Sequence, residues 1–246
     1  MVGLLKEPPG DVLEIGPGPG GLTLTLLEAG YRVWAIELDT RWATYLKQNW
    51  EPKFPQQLTV VEGDALLLDW ALVLSDANES REVQIAGNLP YYITAPLLAK
   101  LMEDHFHWQS AVVMVQKEVA SRLVTAPGQR NANALGVMLR YNMDIELGFG
   151  VGREHFHPIP EVDSAVVKLD RRAPLPVERN AFSWVVHAGF GHRRKMLRQA
   201  LAQASGSPFS AREWETRMLE AGLSPTARAE AITIEEWIRL ARLLSK

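Results

Sequence analysis

Short runs rich in Val, Ile and Leu recur through the first two thirds of the chain: DVLEIG (11–16), RVWAIEL (32–38), LTVVEG (58–63), EVQIAG (82–87) and SAVVMVQ (110–116). They have strand length, and their nearly continuous apolar character is that of strands buried on both faces. Between most of them lie amphipathic stretches, 20–29, 40–49 and 94–103, that can supply crossover helices. Strands covered on both faces and joined by helices predict a mostly parallel, doubly wound α/β sheet. Two later runs, DIELGFGV (144–151) and SAVVKL (164–169), are separated only by a loop, which predicts an antiparallel pair at one sheet edge. The polar segment LSDANESRE (74–82) reads as a surface loop.

Strand patterns cease after LDRRAPLPVERN (169–180), and the remainder is helical. At the C-terminal end, Thr233 and Glu236 form a T-x-x-E capping signature, followed by Ile234, Trp237, Ile238, Ala241 and Leu244 on one helical face. The pattern predicts two domains: residues 1–173 with the sheet, and a small all-helical domain over 174–246. With 246 residues and 47% hydrophobic content, the chain can bury a substantial core. No apolar run approaches the roughly 20 residues of a membrane span, and MVGLLKEPPGD lacks the apolar core of a secretion signal. Zero cysteines exclude disulfides and thiolate metal sites and fit a cytoplasmic location. Two His-x-His pairs, His105/His107 and His155/His157, have no further ligand at metal-binding spacing, so no metal is expected. Nothing demands more than a monomer.

Charge is divided unevenly. Residues 1–169 carry 13 Lys+Arg against 21 Asp+Glu, or −8, and residues 170–246 carry 13 against 8, or +5, which together give the chain's −3. A basic C-terminal part on an acidic body points to a polyanion gripped partly from that end. The cations of GHRRK, namely Arg193, Arg194 and Lys195, with Arg198 beyond, fall within about two turns if helical and can contact phosphates; a solvated helix face is the plain alternative.

The stretch EIGPGPGGLT (14–23) ends the first strand and opens a helix. Gly16, Gly18 and Gly20 let backbone approach a ligand, and the helix start offers unpaired amides. The spacing is G-x-G-x-G rather than G-x-G-x-x-G. Pro17 and Pro19 have no N–H to donate, and Glu14 would repel phosphate, so a ligand with an amino group and a positive centre suits this loop better than a pyrophosphate. Glu37, ending the second strand, can accept from two ribose hydroxyls, and Asp64, after the third, from the exocyclic amine of an adenine. Glu37 and Asp64 can also simply cap helices, but three acids in this order with this loop describe an S-adenosylmethionine pocket better than a nicotinamide pocket.

The fourth strand delivers GNLPYY (87–92) to the same crevice. An aromatic amine is a poor nucleophile because its lone pair is delocalised into the ring. Acceptors on its two N–H bonds favour a tetrahedral nitrogen, and the Asn88 side-chain oxygen and the Leu89 carbonyl can be those acceptors. Pro90 fixes the turn that aims them and Tyr91 can stack on the base. A simple proline turn with Tyr91 and Tyr92 in the core is the alternative.

NLPYYITAPLL (88–98), VQKEVASRL (115–123), FHPIPEVDSAVVKL (156–169) and GHRRKMLRQAL (191–201) together make the sequence resemble the ribosomal RNA adenine dimethyltransferases over nearly its whole length. The resemblance implies transfer of two methyls from S-adenosylmethionine to N6 of each of two adjacent adenosines near the 3′ end of small-subunit ribosomal RNA, free or in a pre-30S particle. It assigns Glu14, Gly16 and Gly18 to the methionine side of the cofactor, Glu37 to its ribose and Asp64 to its adenine. It gives Asn88, Leu89, Pro90 and Tyr91 to the target amine, and Phe156 to stacking on the target base opposite Tyr91. A base leaving its stack loses a few kcal/mol that aromatic faces replace, which is the physical case for Phe156. Family members carry a segment with a Gln-Asn-Phe-Leu-like motif ahead of the glycine strand, whereas VGLLKEPPG resembles only the last turns of that helix; low cofactor affinity is the expectation for an open pocket. Competing readings are a large-subunit adenine methyltransferase, a ribosome-assembly or transcription factor without transfer activity, and a nicotinamide oxidoreductase.

Overall fold

The computed structural model of the protein describes residues 1–75, 77, 83–90, 92–102, 107–192 and 194–244. In chain order its elements are β1 (Asp11–Ile15), α1 (Gly21–Glu28), β2 (Arg32–Glu37), α2 (Thr40–Asn49), β3 (Leu58–Glu62), α3 (Trp70–Val73), β4 (Val83–Asn88), α4 (Thr94–Lys100), β5 (Trp108–Gln116), α5 (Lys117–Val124), α6 (Ala134–Leu139), β6 (Met143–Val151), β7 (Ser164–Arg171), α7 (Arg179–Phe190), α8 (Leu197–Gln203), α9 (Ala211–Glu220) and α10 (Ile234–Arg242). The polar segment 74–82 lies mostly outside the described residues.

Among the described residues the strands form one seven-stranded sheet in the order β3-β2-β1-β4-β5-β7-β6. The pairs β1–β2, β1–β4, β2–β3 and β4–β5 are parallel, as the apolar runs predicted. The two later runs, β6 and β7, are neighbours at one sheet edge, as expected. Strand β7 also runs antiparallel to β5, with Gln116 opposite Ser164 and Ser110 opposite Asp170, and so lies between β5 and β6. Strand order reverses about β1, whose neighbours are β2 and β4, so the carboxyl ends on either side of it open a crevice for a ligand. Every residue of β1 is buried, as are Val33 to Glu37 of β2 and Val83 to Gly87 of β4. Leu26 and Leu27 of α1, Ala43 and Leu46 of α2, and Val12, Val33, Val60 and Ala86 of the strands share one core cluster. Val2–Leu4 make a single 3-10 turn, and Leu5 packs into this cluster.

The chain divides into two compact units. The first comprises Met1–Ala120 with Asp144–Arg171, and the second Ser121–Met143 with Arg172–Lys246. The second unit therefore takes in 121–143 as well as the C-terminal helices. Its interior is aromatic: Phe182, Trp214 and Trp237 are fully buried, Trp184 stacks on Trp214 at 6.2 Å and Phe190 on Trp237 at 5.7 Å. The capping box of Thr233 and Glu236 is present at the start of α10, with Trp237, Leu240 and Ala241 buried.

Candidate active site

The loop after β1 turns because its glycines adopt conformations that other residues rarely take. Gly16, Gly18 and Gly20 have φ of 67°, 54° and 92°. The Gly16 N–H donates to the Ile36 carbonyl at 2.9 Å, and the Gly18 N–H donates to Glu37 Oε2 at 2.8 Å. Glu37 Oε1 accepts from the Asp39 N–H at 2.8 Å, so this carboxylate ties the glycine loop to the end of β2. Asp39 itself, not Glu37, caps α2.

Glu37 and Asp64 share a cleft of about 400 Å³ with Gly16, Leu38, Pro90 and Tyr92 among its lining residues. Asp64 Oδ1 accepts from the Leu66 N–H at 2.8 Å, an Asx turn rather than a helix cap. Lys100 closes that turn from below, its Nζ donating to the Leu66 and Leu68 carbonyls at 2.9 and 2.6 Å. Leu38 and Tyr92 are 57% and 78% exposed, so two large apolar side chains stand at the rim, and Tyr92 is not a core aromatic. The strand patterns did not single out Leu38; its position one residue past Glu37 at a strand end was the available signal.

Strand β1 is buried on both faces, so the Glu14 side chain is only 1% exposed, and it is not among the residues that line the cleft of Glu37 and Asp64. Its Oε2 accepts from the Thr23 hydroxyl at 2.7 Å, tying β1 to the first turn of α1. Burial, and secondarily the nearby charge of Glu37, pushes its carboxyl up to about 7 despite the Thr23 hydrogen bond. Thr23 was not among the expected site residues, although a Thr at the start of α1 facing a buried acid is a legible pair once the strand's burial is known.

Asn88 ends β4 with its side chain exposed, while Leu89 is buried and its N–H donates to the Met114 carbonyl at 3.0 Å. The Pro90 carbonyl accepts from the Ile93 N–H and the Thr94 hydroxyl, both at 3.1 Å, which starts α4. Asn88, Leu89 and Pro90 line a second cleft of about 620 Å³, whose other wall is Phe156, His157, Pro158 and Pro160. Pro90 thus borders both clefts. Tyr91 lies outside the described residues.

The basic segment is not one helix. His192, Arg194 and Lys195 lie between α7 and α8, and α8 begins only at Leu197. Arg194 and Lys195 are exposed, Lys195 donates to Gln203, and Arg198 is ion-paired with Glu215 of α9. Arg193 and His105 lie outside the described residues. Among the described residues, no cluster of three His, Cys, Asp or Glu side chains could hold a metal ion. No described helix is long and apolar enough to cross a membrane.

Among solved structures, a dimethyladenosine transferase from Plasmodium falciparum superposes with a TM-score of 0.77 at 24% identity, covering 97% of this chain and 91% of that one. The 23S rRNA methyltransferase ErmE does so with a TM-score of 0.71 at 26% identity, covering 98% and 93%. Among curated proteins, the ribosomal RNA small subunit methyltransferase A of Chelativorans sp. is 40% identical over 94% of this chain and 82% of its own length. The protein of the same name from Lactococcus lactis is 38% identical over 95% and 80%. The family model for ribosomal RNA adenine dimethylase matches residues 5–246. With that match spanning both compact units, this chain belongs to the ribosomal RNA adenine dimethylase family.

Proposed function

We propose that the protein methylates N6 of two adjacent adenosines near the 3′ end of small-subunit ribosomal RNA, using S-adenosylmethionine. The observation that carries the reading is Pro90, which borders the carboxylate-bearing cleft on one side and, with Asn88 and Leu89, the aromatic one on the other. The curated relatives at 38–40% identity carry the small-subunit name, which favours that substrate.

The first cleft has the chemistry of the expected cofactor: carboxylate acceptors at the ends of two neighbouring strands, apolar walls at Leu38 and Ile93, and a backbone loop without side chains at Gly16. When bound, S-adenosylmethionine supplies an electrophilic methyl group. Glu37 would accept from ribose hydroxyls with the lone pairs left by Gly18 and Asp39, and Asp64 from the adenine amine. Glu14, tied to the start of α1 through Thr23, would stand at the methionine side of the cofactor. In the second cleft Phe156 would stack on the extruded adenine, opposite Tyr91. The Asn88 side-chain oxygen and the Leu89 carbonyl would each accept an N6–H, withdrawing the nitrogen lone pair from the ring so that it points to the methyl. The N6–C bond would form as the sulfonium S–C bond breaks, leaving S-adenosylhomocysteine, and the resulting ammonium would release its proton to solvent afterwards, so these residues need supply no strong base. Work on ribosomal particles implies a cytoplasmic protein acting on free RNA or a pre-30S particle.

Labelled S-adenosylmethionine with small subunits from cells lacking this modification, followed by digestion to nucleosides, tests the reading. Dimethyladenosine is expected with the intact protein, and Asn88→Ala is expected to slow its appearance by a factor on the order of 100, as for loss of one preorganised polar contact to a reacting group. Equal rates for the two proteins would remove Asn88 from the mechanism. Because ErmE shares the fold at 26% identity, large-subunit RNA is the second substrate to test, and label confined to it would replace the small-subunit reading.

A further inference from the structure

The loop that carries Phe156 has little core beneath it. Residues 153–155 and 157–159 are exposed, with Ile159 64% and Val162 43% exposed. Yet this loop forms one wall of the second cleft, so something other than burial must fix it. Its two ends meet at Asp163. The Asp163 Oδ1 accepts from the Arg153 N–H at 3.3 Å, and the Arg153 guanidinium donates to the Glu161 carbonyl at 3.3 Å. The Arg153 carbonyl in turn accepts from the Phe156 N–H at 3.2 Å. From the other side, the Asp163 carbonyl accepts from the Lys117 N–H at 2.9 Å, and Lys117 Nζ stands 3.3 Å from Asp163 Oδ2. Lys117 follows Gln116, which pairs with Ser164 in the sheet, so this end of the joint is fixed by strand register. Two successive hydrogen bonds therefore lead from the rigid β5–β7 pair to the backbone of Phe156.

We infer that Asp163 is a positioning residue for methyl transfer: it sets where Phe156 stands against Asn88–Pro90, without touching either clefts' ligand. The inference rests on the function proposed above. The hydrogen bonds from Arg153 and Lys117 also keep the Asp163 carboxyl below its ordinary range, so it is the charged form that closes the loop at neutral pH. The exposed ion pair to Lys117 contributes little by itself. The acceptor for the Arg153 N–H is the important contact, and the amide oxygen of Asn can reproduce it.

Asp163→Ala, Asp163→Asn, Phe156→Ala and the double variant Asp163→Ala/Phe156→Ala separate the possibilities. Asp163→Ala is expected to lower kcat for methyl transfer by roughly 10- to 100-fold, the scale of a misplaced reacting group. Its affinity for S-adenosylmethionine, measured by calorimetry, should be unchanged, and Asp163→Asn should recover most of the rate. In the Phe156→Ala background the same Asp163→Ala change should cost nothing further, because the residue acts through that ring. Full additivity of the two losses, a weakened cofactor affinity, or an Asp163→Asn variant as slow as Asp163→Ala would each overturn the assignment. Amide hydrogen exchange at Arg153 and Phe156 provides a readout independent of catalysis: faster exchange in Asp163→Ala is expected, and unchanged exchange rejects the joint. A wild-type protein that transfers no methyl to RNA, with that exchange difference present, would reject the proposed function while leaving the joint in place.

Discussion

A carboxyl set in the middle of a strand buried on both faces has no water to stabilise its charge, and Glu14 is held at about 7 against an ordinary value of 4.5. The consequence for stability has a definite sign. As pH rises past 4.5 the unfolded chain releases this proton while the folded protein keeps it until about 7, so the unfolded state binds fewer protons across that window and stability falls. At 1.36 kcal/mol per pH unit the loss amounts to about 3 kcal/mol, complete slightly above pH 7. Asp39, Asp163 and Glu213 act in the opposite sense, since hydrogen bonds hold each of them below its ordinary value, but their contributions are gained only up to about pH 4.5. The two windows are therefore separated. Glu14→Gln keeps an acceptor for the Thr23 hydroxyl and removes the titration. Urea denaturation at half-unit steps from pH 4.5 to 8 should show a flatter profile for the variant and greater stability than wild type at pH 8. Parallel profiles for the two proteins would mean that Glu14 titrates as an ordinary surface acid.

Two strands must come unusually close for the clefts to share a wall. A Cβ on Gly87 of β4 would lie 2.6 Å from the Ile15 carbonyl oxygen at the end of β1, and 3.3 Å from the Leu89 side chain. Those two positions directly precede Gly16 and Asn88, so the close approach fixes the spacing of the glycine loop and the Asn88 segment. Gly87→Ala is expected to cost about 1–3 kcal/mol, the usual scale of overpacking in a filled core. It should also lower the methyl-transfer rate at temperatures where the variant remains folded. Guanidinium denaturation alongside transfer kinetics checks both, and full activity at wild-type stability would show that the backbone yields there without consequence. Strand positions were legible because continuous apolar runs survive any tertiary context, and a parallel sheet places all its carboxyl ends along one edge, which is why Gly16, Glu37, Asp64 and Asn88 could be read as neighbours. The insertion of β7 between β5 and β6 was not legible, since strand choice is settled by long-range pairing. Nor was the depth of burial of Glu14, which depends on β1 lying in the middle of the sheet, or the helical unit's claim on Ser121–Met143, which local periodicity does not record.

Over the whole molecule, the division into compact units makes the charge asymmetry larger than a single cut along the chain does. Residues 121–143 and 172–246 together hold 15 Lys+Arg against 7 Asp+Glu, or +8, which leaves 11 against 22, or −11, for the sheet unit. Polyanionic RNA is thus repelled by the net charge of one unit and attracted by that of the other, so phosphate contacts from the helical unit should carry most of the salt dependence of binding. Within the basic segment the cations are not equivalent. Arg194 and Lys195 are exposed in the turn before α8, whereas Arg198 is committed to Glu215. Replacing Arg194 and Lys195 together by Ala should lower the slope of log affinity against log salt by about 1.4 to 1.8, at 0.7 to 0.9 per phosphate contact, with no change in cofactor binding. Arg198→Ala should leave that slope nearly intact and lower the melting temperature instead, because it strands Glu215 beside the α8–α9 packing. Filter binding across 50 to 300 mM salt with a fragment of small-subunit RNA, run beside thermal melts, distinguishes the two classes. If Arg198→Ala reduces the slope as much as the double variant does, the ion pair with Glu215 opens on binding and the whole segment meets phosphate.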